Sequence, residues 1–415
     1  MKQFKKLPRK RSDKRGRGKA LLSGMGLGIL IFCLCVTSAL VIVPAVSPST
    51  GAETADILRS VFGPAPVAVL ESISFKFQDQ LNQLCSKING GQSEITFSPL
   101  PPPVEPTTTE VASLIPTTVN QVSTTSTPSL VQAIPTPIIN VVTDSPQIGW
   151  QAYGPETNDG PVMARALIMP DPQRSYAGVV LVRIDLSKLQ LHMVPGTLEP
   201  SHSSQVVHAI PNLGMVPQIE QRNLIAAFNG GFKAIHGRFG MMVSGVTLLP
   251  PIPSIATIAI YRDGHVQIGV WGQDLNVSSD MIAFRQNCPP LIDVGQINPA
   301  LALENRKAWG YTDNTDITWR TGLGITQDSR YLIYAVGNGT SAETLADALQ
   351  KAGAYNAMQL DINQFYAHFY TYYPSNPAVS EGFQLTGQRL VDQMINNPHL
   401  YLAPNVRDFF YLTTR

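Results

Sequence analysis

Cysteine is scarce in this 415-residue chain: Cys33, Cys35, Cys85 and Cys288 are all it has. With no CxxC pair and no His/Cys cluster, a structural zinc site is excluded and no metal is expected; two isolated cysteines are no disulfide framework. Cys33 and Cys35 lie inside an apolar run, as packing residues or palmitoylation sites. Cys85 and Cys288 could pair if both lie outside the cell. Charge is scarce too, at 14% of residues, so much of the chain is neither charged surface nor helical bundle. Acidic residues are almost missing from the N-terminus. Residues 2–19 carry ten Lys/Arg and only Asp13, which leaves 20 of the 30 basic and 28 of the 29 acidic residues for the remainder, a net −8. A mildly acidic bulk behind a basic tail that abuts an apolar run argues against nucleic acid and for a membrane as the tail's partner.

Long uncharged stretches, by contrast, are present. Residues 20–46 contain no charge, and about 20 apolar residues span a bilayer core. The run exceeds the roughly 7–15 residues of a signal-peptide core, although the Ala-Val-Ser stretch at its end leaves cleavage open. The basic tail 1–19 then stays in the cytoplasm by the positive-inside rule, and everything beyond residue 47 lies outside. Residues 52–88 read as a juxtamembrane helical segment. Ile57, Leu58, Val61 and Phe62 share one face, Gly63-Pro64 breaks the pattern, and Val67, Leu70, Ile73, Phe77, Leu81 and Leu84 resume it. Packing or oligomerisation is the expected role. Many of the 33 prolines fall in 98–146, a Pro/Thr-rich linker whose composition favours extended, disordered conformers.

Residues 147–415 form the globular domain. Short β-rich runs recur at 178–184, 189–194, 224–228, 241–248, 256–261 and 265–271, with Asp263-Gly264 as a hairpin turn. A second pair, 322–326 and 331–336, precedes a helix at 341–352 that opens on a capping box, Thr340-Ser-Ala-Glu343, and closes at Gly353. A strand at 357–361 follows. The fold class is α+β, with mixed, mostly antiparallel sheets and a C-terminal β-α-β unit, preceded by a transmembrane helix, a juxtamembrane helical segment and a disordered stalk. Two glycosylation sequons, Asn276-Val-Ser and Asn338-Gly-Thr, matter only in a host that glycosylates.

Three segments carry chemistry-bearing residues. Asn229-Gly230-Gly231-Phe232 ends a buried strand in a turn where the backbone can approach a ligand. Trp319-Arg320-Thr321-Gly322-Leu323-Gly324 places an arginine fork, suited to phosphate or carboxylate, before a strand. Gln359-Leu360-Asp361-Ile362-Asn363-Gln364 delivers a carboxylate at a strand end, where it can act as acid, base or ligand. Each alone is equally an ordinary turn, a structural ion pair or a strand-end cap.

In this order the three segments resemble the phosphodiester glycosidase family, over roughly residues 160–400. The resemblance implies a carbohydrate or sugar-phosphate substrate. It implies that Asn229, with Gly230 and Gly231, binds substrate, that Arg320 holds its phosphate with Thr321 beside it as a substrate-binding residue, and that Asp361 is the catalytic acid/base. Asn363 and His368 join the substrate-binding candidates. The family's last strand runs on as Asp-Gly-Gly-Gly-Ser, whereas here Asp361 is followed by Ile362-Asn363-Gln364-Phe365-Tyr366-Ala367-His368. The second carboxylate of the usual glycosidase pair is unassigned, with Glu304 and Asp293 as candidates. Two functions follow. One is a membrane-anchored, extracytoplasmic hydrolase of a glycosyl phosphodiester in a surface or exported polysaccharide. The other is an inactive relative that binds glycan or protein at the cell envelope, with Ile362 and Asn363 plugging the cleft and the aromatics of 365–373 exposed. The sequence specifies neither a cofactor nor a protein partner.

Overall fold

The computed structural model describes residues 48–88, 90, 95–99, 148–155, 157, 160–200, 210, 214–305, 308–309, 313–375 and 384–415. The basic tail 1–19, the expected anchor 20–46 and nearly all of the linker 98–146 lie outside them. No described helix is long and apolar enough to cross a membrane.

Two helices come first, α1 (Pro48–Phe62) and α2 (Pro64–Ile88). The Gly63-Pro64 step separates them. Gly63 takes φ 81° and closes α1 through its N–H to the Arg59 carbonyl, while Pro64 is tolerated at the first position of α2. The apolar stripe read from the sequence turns outward: Ile57, Val61, Phe62, Ile73, Phe77, Leu81 and Leu84 are exposed. The buried face of α2 is small and polar, with Val67, Ala68, Ser72, Ser74 and Asp79. Polarity suits the surface it meets. Asp79 accepts from both Arg174 nitrogens at 2.9 Å and from Tyr176, and Ser72 donates to Asp316. The helical pair therefore forms one compact unit with the residues from Ile148 onward.

Three antiparallel sheets build the rest. The first runs β1 (Gln151–Tyr153), β2 (Met163–Ile168), β3 (Val179–Asp185), β14 (Tyr331–Thr340), β13 (Thr318–Ile325), β15 (Asn356–Gln359), β11 (Ile292–Asp293) and β12 (Gln296–Ile297). The second runs β7 (Val246–Leu249), β6 (Met241–Val243), β10 (Met281–Gln286), β8 (Ala256–Tyr261) and β9 (Val266–Val270). The third runs β17 (Leu385–Arg389), β16 (Phe369–Pro374), β5 (Leu224–Asn229), β18 (Phe409–Thr414) and β4 (Leu189–Val194). The single strand expected over 241–248 is two, because Ser244 and Gly245 take φ 51° and 76° and turn the chain into a tight hairpin.

The β-α-β unit is β14, α3 (Ala342–Lys351) and β15, with β13 lying between the two parallel strands. Ser341 caps α3 by accepting from the Thr344 N–H at 3.1 Å. Both faces of the first sheet are covered. Val180, Val182, Leu332 and Tyr334 face the main core, whereas Val179, Leu181, Ile333 and Ala335 pack with Leu345 and Leu349 of α3, and burial of each such leucine stabilises by about 1.5–3 kcal/mol. Gly322 and Gly324 let α3 and the turn after it come this close: a Cβ on Gly322 would lie 3.1 Å from the Leu345 side chain, and one on Gly324 2.5 Å from that of Ala354 just beyond the helix. Cys85 and Cys288 do not pair. Cys85 is exposed and Cys288 buried, both as free thiols.

Candidate active site

The first and third sheets meet where β5, β15 and the segment before β18 end together. The Asp361 N–H donates to the Gly230 carbonyl at 3.2 Å, and the Gly230 N–H to the Asp408 carbonyl at 3.1 Å. Such a junction needs bare backbone. A Cβ on Gly230 would fall 2.1 Å from an Asp408 oxygen. Beneath it lies a fully buried ion pair: Arg285 Nε donates to Asp408 at 2.8 Å, and its other nitrogens donate to the carbonyls of Phe232, Phe239 and Gln286.

Asp361 is 5% exposed. Its Oδ1 accepts from the N–H groups of Ile362 and Asn363 at 2.8 and 3.1 Å, and its Oδ2 accepts from Arg407 at 2.7 Å. The same Arg407 nitrogen donates to the Gly231 carbonyl at 2.8 Å, and its Nε finds no partner. Burial works against the Arg407 charge, but the Asp361 and Asp408 carboxylates outweigh it and hold its pKa above the ordinary value. The Tyr366 ring lies 4.2 Å beneath the guanidinium.

Around this pair is a cavity of about 160 Å³. The domain contributes Phe232, Lys233, His236, Trp319, Asp361, Ile362, Asn363 and Arg407; α1 and α2 contribute Ala55, Asp56, Arg59, Glu71 and Phe75. The helical pair thus supplies one wall. Three cations and three carboxylates face the space. Besides Arg407–Asp361, Lys233 donates to Asp56, and Arg59 donates to Asp56 at 3.0 Å and to Glu71. Burial raises the Glu71 pKa against the pull of Arg59. His236 is pushed down to about 3 by burial and the nearby Arg59 charge, and stays neutral.

Not every residue expected at the site reaches this cavity. Asn363 lines it and caps the next turn by accepting from the Phe365 N–H. Asn229 lies behind Asp361. It donates to the Gly230 carbonyl and to Thr321 Oγ1, each at 3.0 Å, and accepts from Tyr334 and the His368 N–H. Thr321 donates through Oγ1 to the Asp361 carbonyl at 2.6 Å, so Asn229 and Thr321 hold the catalytic candidate's backbone. Arg320 is 1% exposed and is absorbed by the fold: it donates to the carbonyls of Thr340, Asp313, Asn314 and Asp316 and to the Gln359 side chain. Burial brings its pKa down to about 10. The phosphate-holding role expected of it has no access to the cavity. His368 is buried, its ring between Tyr401 and Asn396. Of the second-carboxylate candidates, Glu304 is exposed beside Lys76 and Asp293 lies at β11; neither lines the cavity, whereas Glu71 does.

The segment after Asp361, where the resemblance led glycines to be expected, is free of backbone strain. None of residues 362–367 takes a positive φ. The two N–H groups on Asp361 Oδ1 and the Asn363 cap turn the chain instead. The aromatic run is largely core, with Phe369, Tyr370 and Tyr372 fully buried, while Tyr366 faces the cavity.

Residues 222–361 match the family model described as phosphodiester glycosidase. Among solved structures, the catalytic domain of zebrafish N-acetylglucosamine-1-phosphodiester alpha-N-acetylglucosaminidase is similar at 16% identity, over 64% of this chain and 87% of that one, with a TM-score of 0.40. A hypothetical protein from Synechocystis is similar at 11% identity, over 66% of this chain and 64% of that one, with a TM-score of 0.35. No curated protein matches. Residues 222–361, from the strand before the Asn-Gly-Gly-Phe turn to the Asp361 carboxylate, therefore carry a domain of the phosphodiester glycosidase family.

Proposed function

We propose that this chain hydrolyses a glycosyl phosphodiester of a surface or exported polysaccharide, and does so at Asp361 while anchored through residues 20–46 with its domain outside the cytoplasm. The observation that carries the reading is Asp361 itself, a strand-end carboxylate at the end of the family-matched segment, facing a cavity and fixed at both oxygens by Arg407 and two N–H groups. Cleaving the bond between a sugar carbon and a phosphate oxygen asks for a group that assists attack and for positive charge where the phosphate departs. A leaving phosphate needs charge neutralisation more than a proton, and preorganised cations supply that most effectively away from bulk water. Asp361 takes the first role. The cations around the cavity are suited to the second, in place of Arg320. Tyr366, and Trp319 on β13, offer ring faces to a sugar.

A second reading, a glycan- or protein-binding relative without activity, is favoured by one observation: Ile362 and Asn363 line the cavity, at positions where the family resemblance led glycines to be expected. A panel of chromogenic sugar-1-phosphodiesters, offered to the full chain in detergent, separates the two. Hydrolysis of at least one member is expected. Silence across the panel, from protein shown to be folded, would transfer the assignment to binding.

A further inference from the structure

The Asp56 carboxylate on α1 is shared by two cations of the cavity. Its Oδ1 accepts from Arg59 at 3.0 Å and its Oδ2 from Lys233. The cations are the buried partners: the Lys233 and Arg59 side chains are 16% and 12% exposed, that of Asp56 37%. A carboxylate on the open side of two desolvated cations can swing away without moving either.

The position of this arrangement bears on the site. Lys233 Nζ lies 5.1 Å from the centre of the Tyr366 ring, and the same ring lies 4.2 Å from the Arg407 guanidinium carbon. Lys233 and Arg407 therefore approach the same aromatic ring, and the Lys233–Arg59 and Arg407–Asp361 groups line one cavity. Arg59 also donates to Glu71, which keeps its guanidinium oriented when Asp56 leaves. Among the described residues Asp56 is the carboxylate that Lys233 pairs with, so Lys233 gains most from a new anion. His236, neutral beside them, adds no charge of its own.

We propose that Lys233 and Arg59 form an anion subsite for a phosphate ester, made only when α1 and α2 cover the domain, and that Asp56 is an internal carboxylate standing in for that phosphate. The proposal deepens the reading of the cavity given above and rests on it for the identity of the ligand. Two tethered donors around a tetrahedral anion give more hydrogen bonds than they give a carboxylate already shared between them, and charge-assisted bonds of this kind are the strong ones. It makes the helical pair part of the binding site, so residues 147–415 alone would lack half of the subsite.

The test is calorimetric titration of the full chain in detergent with inorganic phosphate and with methyl phosphate, at low ionic strength. Asp56→Asn removes the competing charge and keeps the side chain's shape. Affinity for both probes is expected to rise about ten-fold, a 1.4 kcal/mol change. Adding Lys233→Gln to that variant is expected to abolish the gain. Unchanged or weaker binding in Asp56→Asn, or a gain that survives Lys233→Gln, would overturn the subsite; thermal melts verify that each variant is folded. The outcome is distinguishable from that of the functional reading. A ten-fold gain with no hydrolysis across the phosphodiester panel keeps the subsite and removes the hydrolase. Hydrolysis lost in Asp361→Asn, with phosphate affinity indifferent to Asp56, keeps the hydrolase and removes the subsite.

Discussion

The carboxylate of Asp361 and the guanidinium of Arg407 meet at 2.7 Å across the seam between two sheets, though 46 residues separate them in the chain. Both side chains are 8% exposed. Each is the other's principal charge partner, and the pair both fixes the orientation of the carboxylate and fills one end of the cavity.

Breaking that pair from one side leaves a buried charge. Arg407→Met is expected to destabilise the protein by about 3–5 kcal/mol, the usual cost of orphaning one partner of a buried ion pair. The double variant Arg407→Met/Asp361→Asn should recover a substantial part of it. Urea unfolding of the two variants checks this. A single variant within about 0.5 kcal/mol of the parent, the scatter of ordinary surface substitutions, contradicts the pairing.

Arg320 behaves differently, because its nitrogens hold main-chain carbonyls on two segments and the Gln359 side chain on a third. Arg320→Lys cannot reproduce the planar fork and is expected to cost about 2–4 kcal/mol in unfilled hydrogen bonds. Phosphate affinity of the folded protein should stay within about two-fold. A large loss of anion affinity without loss of stability would return Arg320 to the binding site.

How much of this was legible in the sequence depends on the length of the signal. The β-rich runs over 189–194 and 256–261 and the Asp263-Gly264 turn are local, and they fall where expected; the cap of α3 is one residue later than the expected capping box put it, at Ser341, because Thr340 still belongs to β14. The Ser244-Gly245 turn was missed, since serine seldom announces a positive φ. Asp361 was readable because it closes a strand. Arg407 and Asp408 were not. Nothing local distinguishes an Arg-Asp pair before a final apolar strand from a surface pair, and their roles arise only when β18 is laid between β4 and β5. Arg320 was misread for the same reason: its partners at Asp313, Asn314 and Asp316 precede it by only four to seven residues, but they belong to a loop whose shape the sequence does not state. The outward apolar face of α1 and α2 also ran against the pattern, because polar partners on the domain, Arg174 above all, claimed the other face.

Buried imidazoles give the protein an acid limb. His368 has its pKa lowered from 6.5 to about 3, chiefly by burial. The unfolded chain therefore takes up the proton first, so the contribution is complete above about pH 6.5 and is lost as pH falls toward 3. The slope between those limits is at most about 1.4 kcal/mol per pH unit for this group. Stability measured against pH in the parent and in His368→Gln should show the variant's curve flatter over that window. Parallel curves contradict the assignment.

Close packing of α3 on β13 gives a steric prediction. Gly324→Ala places a methyl 2.5 Å from the Ala354 Cβ and is expected to cost about 1–3 kcal/mol, as overpacking does. Ser341→Ala removes the helix cap and should cost about 1 kcal/mol. Thermal melts of both variants test the ranking; a stabilised Gly324→Ala would show that the sheet yields more readily than its packing implies.

The most direct test of the central claim is the ratio of kcat/KM between the parent and Asp361→Asn, measured on whichever sugar-1-phosphodiester the full chain hydrolyses. The substitution preserves shape and keeps the turn's two N–H contacts within reach of a side-chain oxygen. A fall of at least about a thousand-fold, on the order of 4 kcal/mol of lost transition-state stabilisation, is expected; because the substitution also unpairs the buried Arg407, the variant melts lower and is assayed below its melting transition. A folded Asp361→Asn variant that retains parental kcat/KM would contradict the assignment of this cavity as the active site.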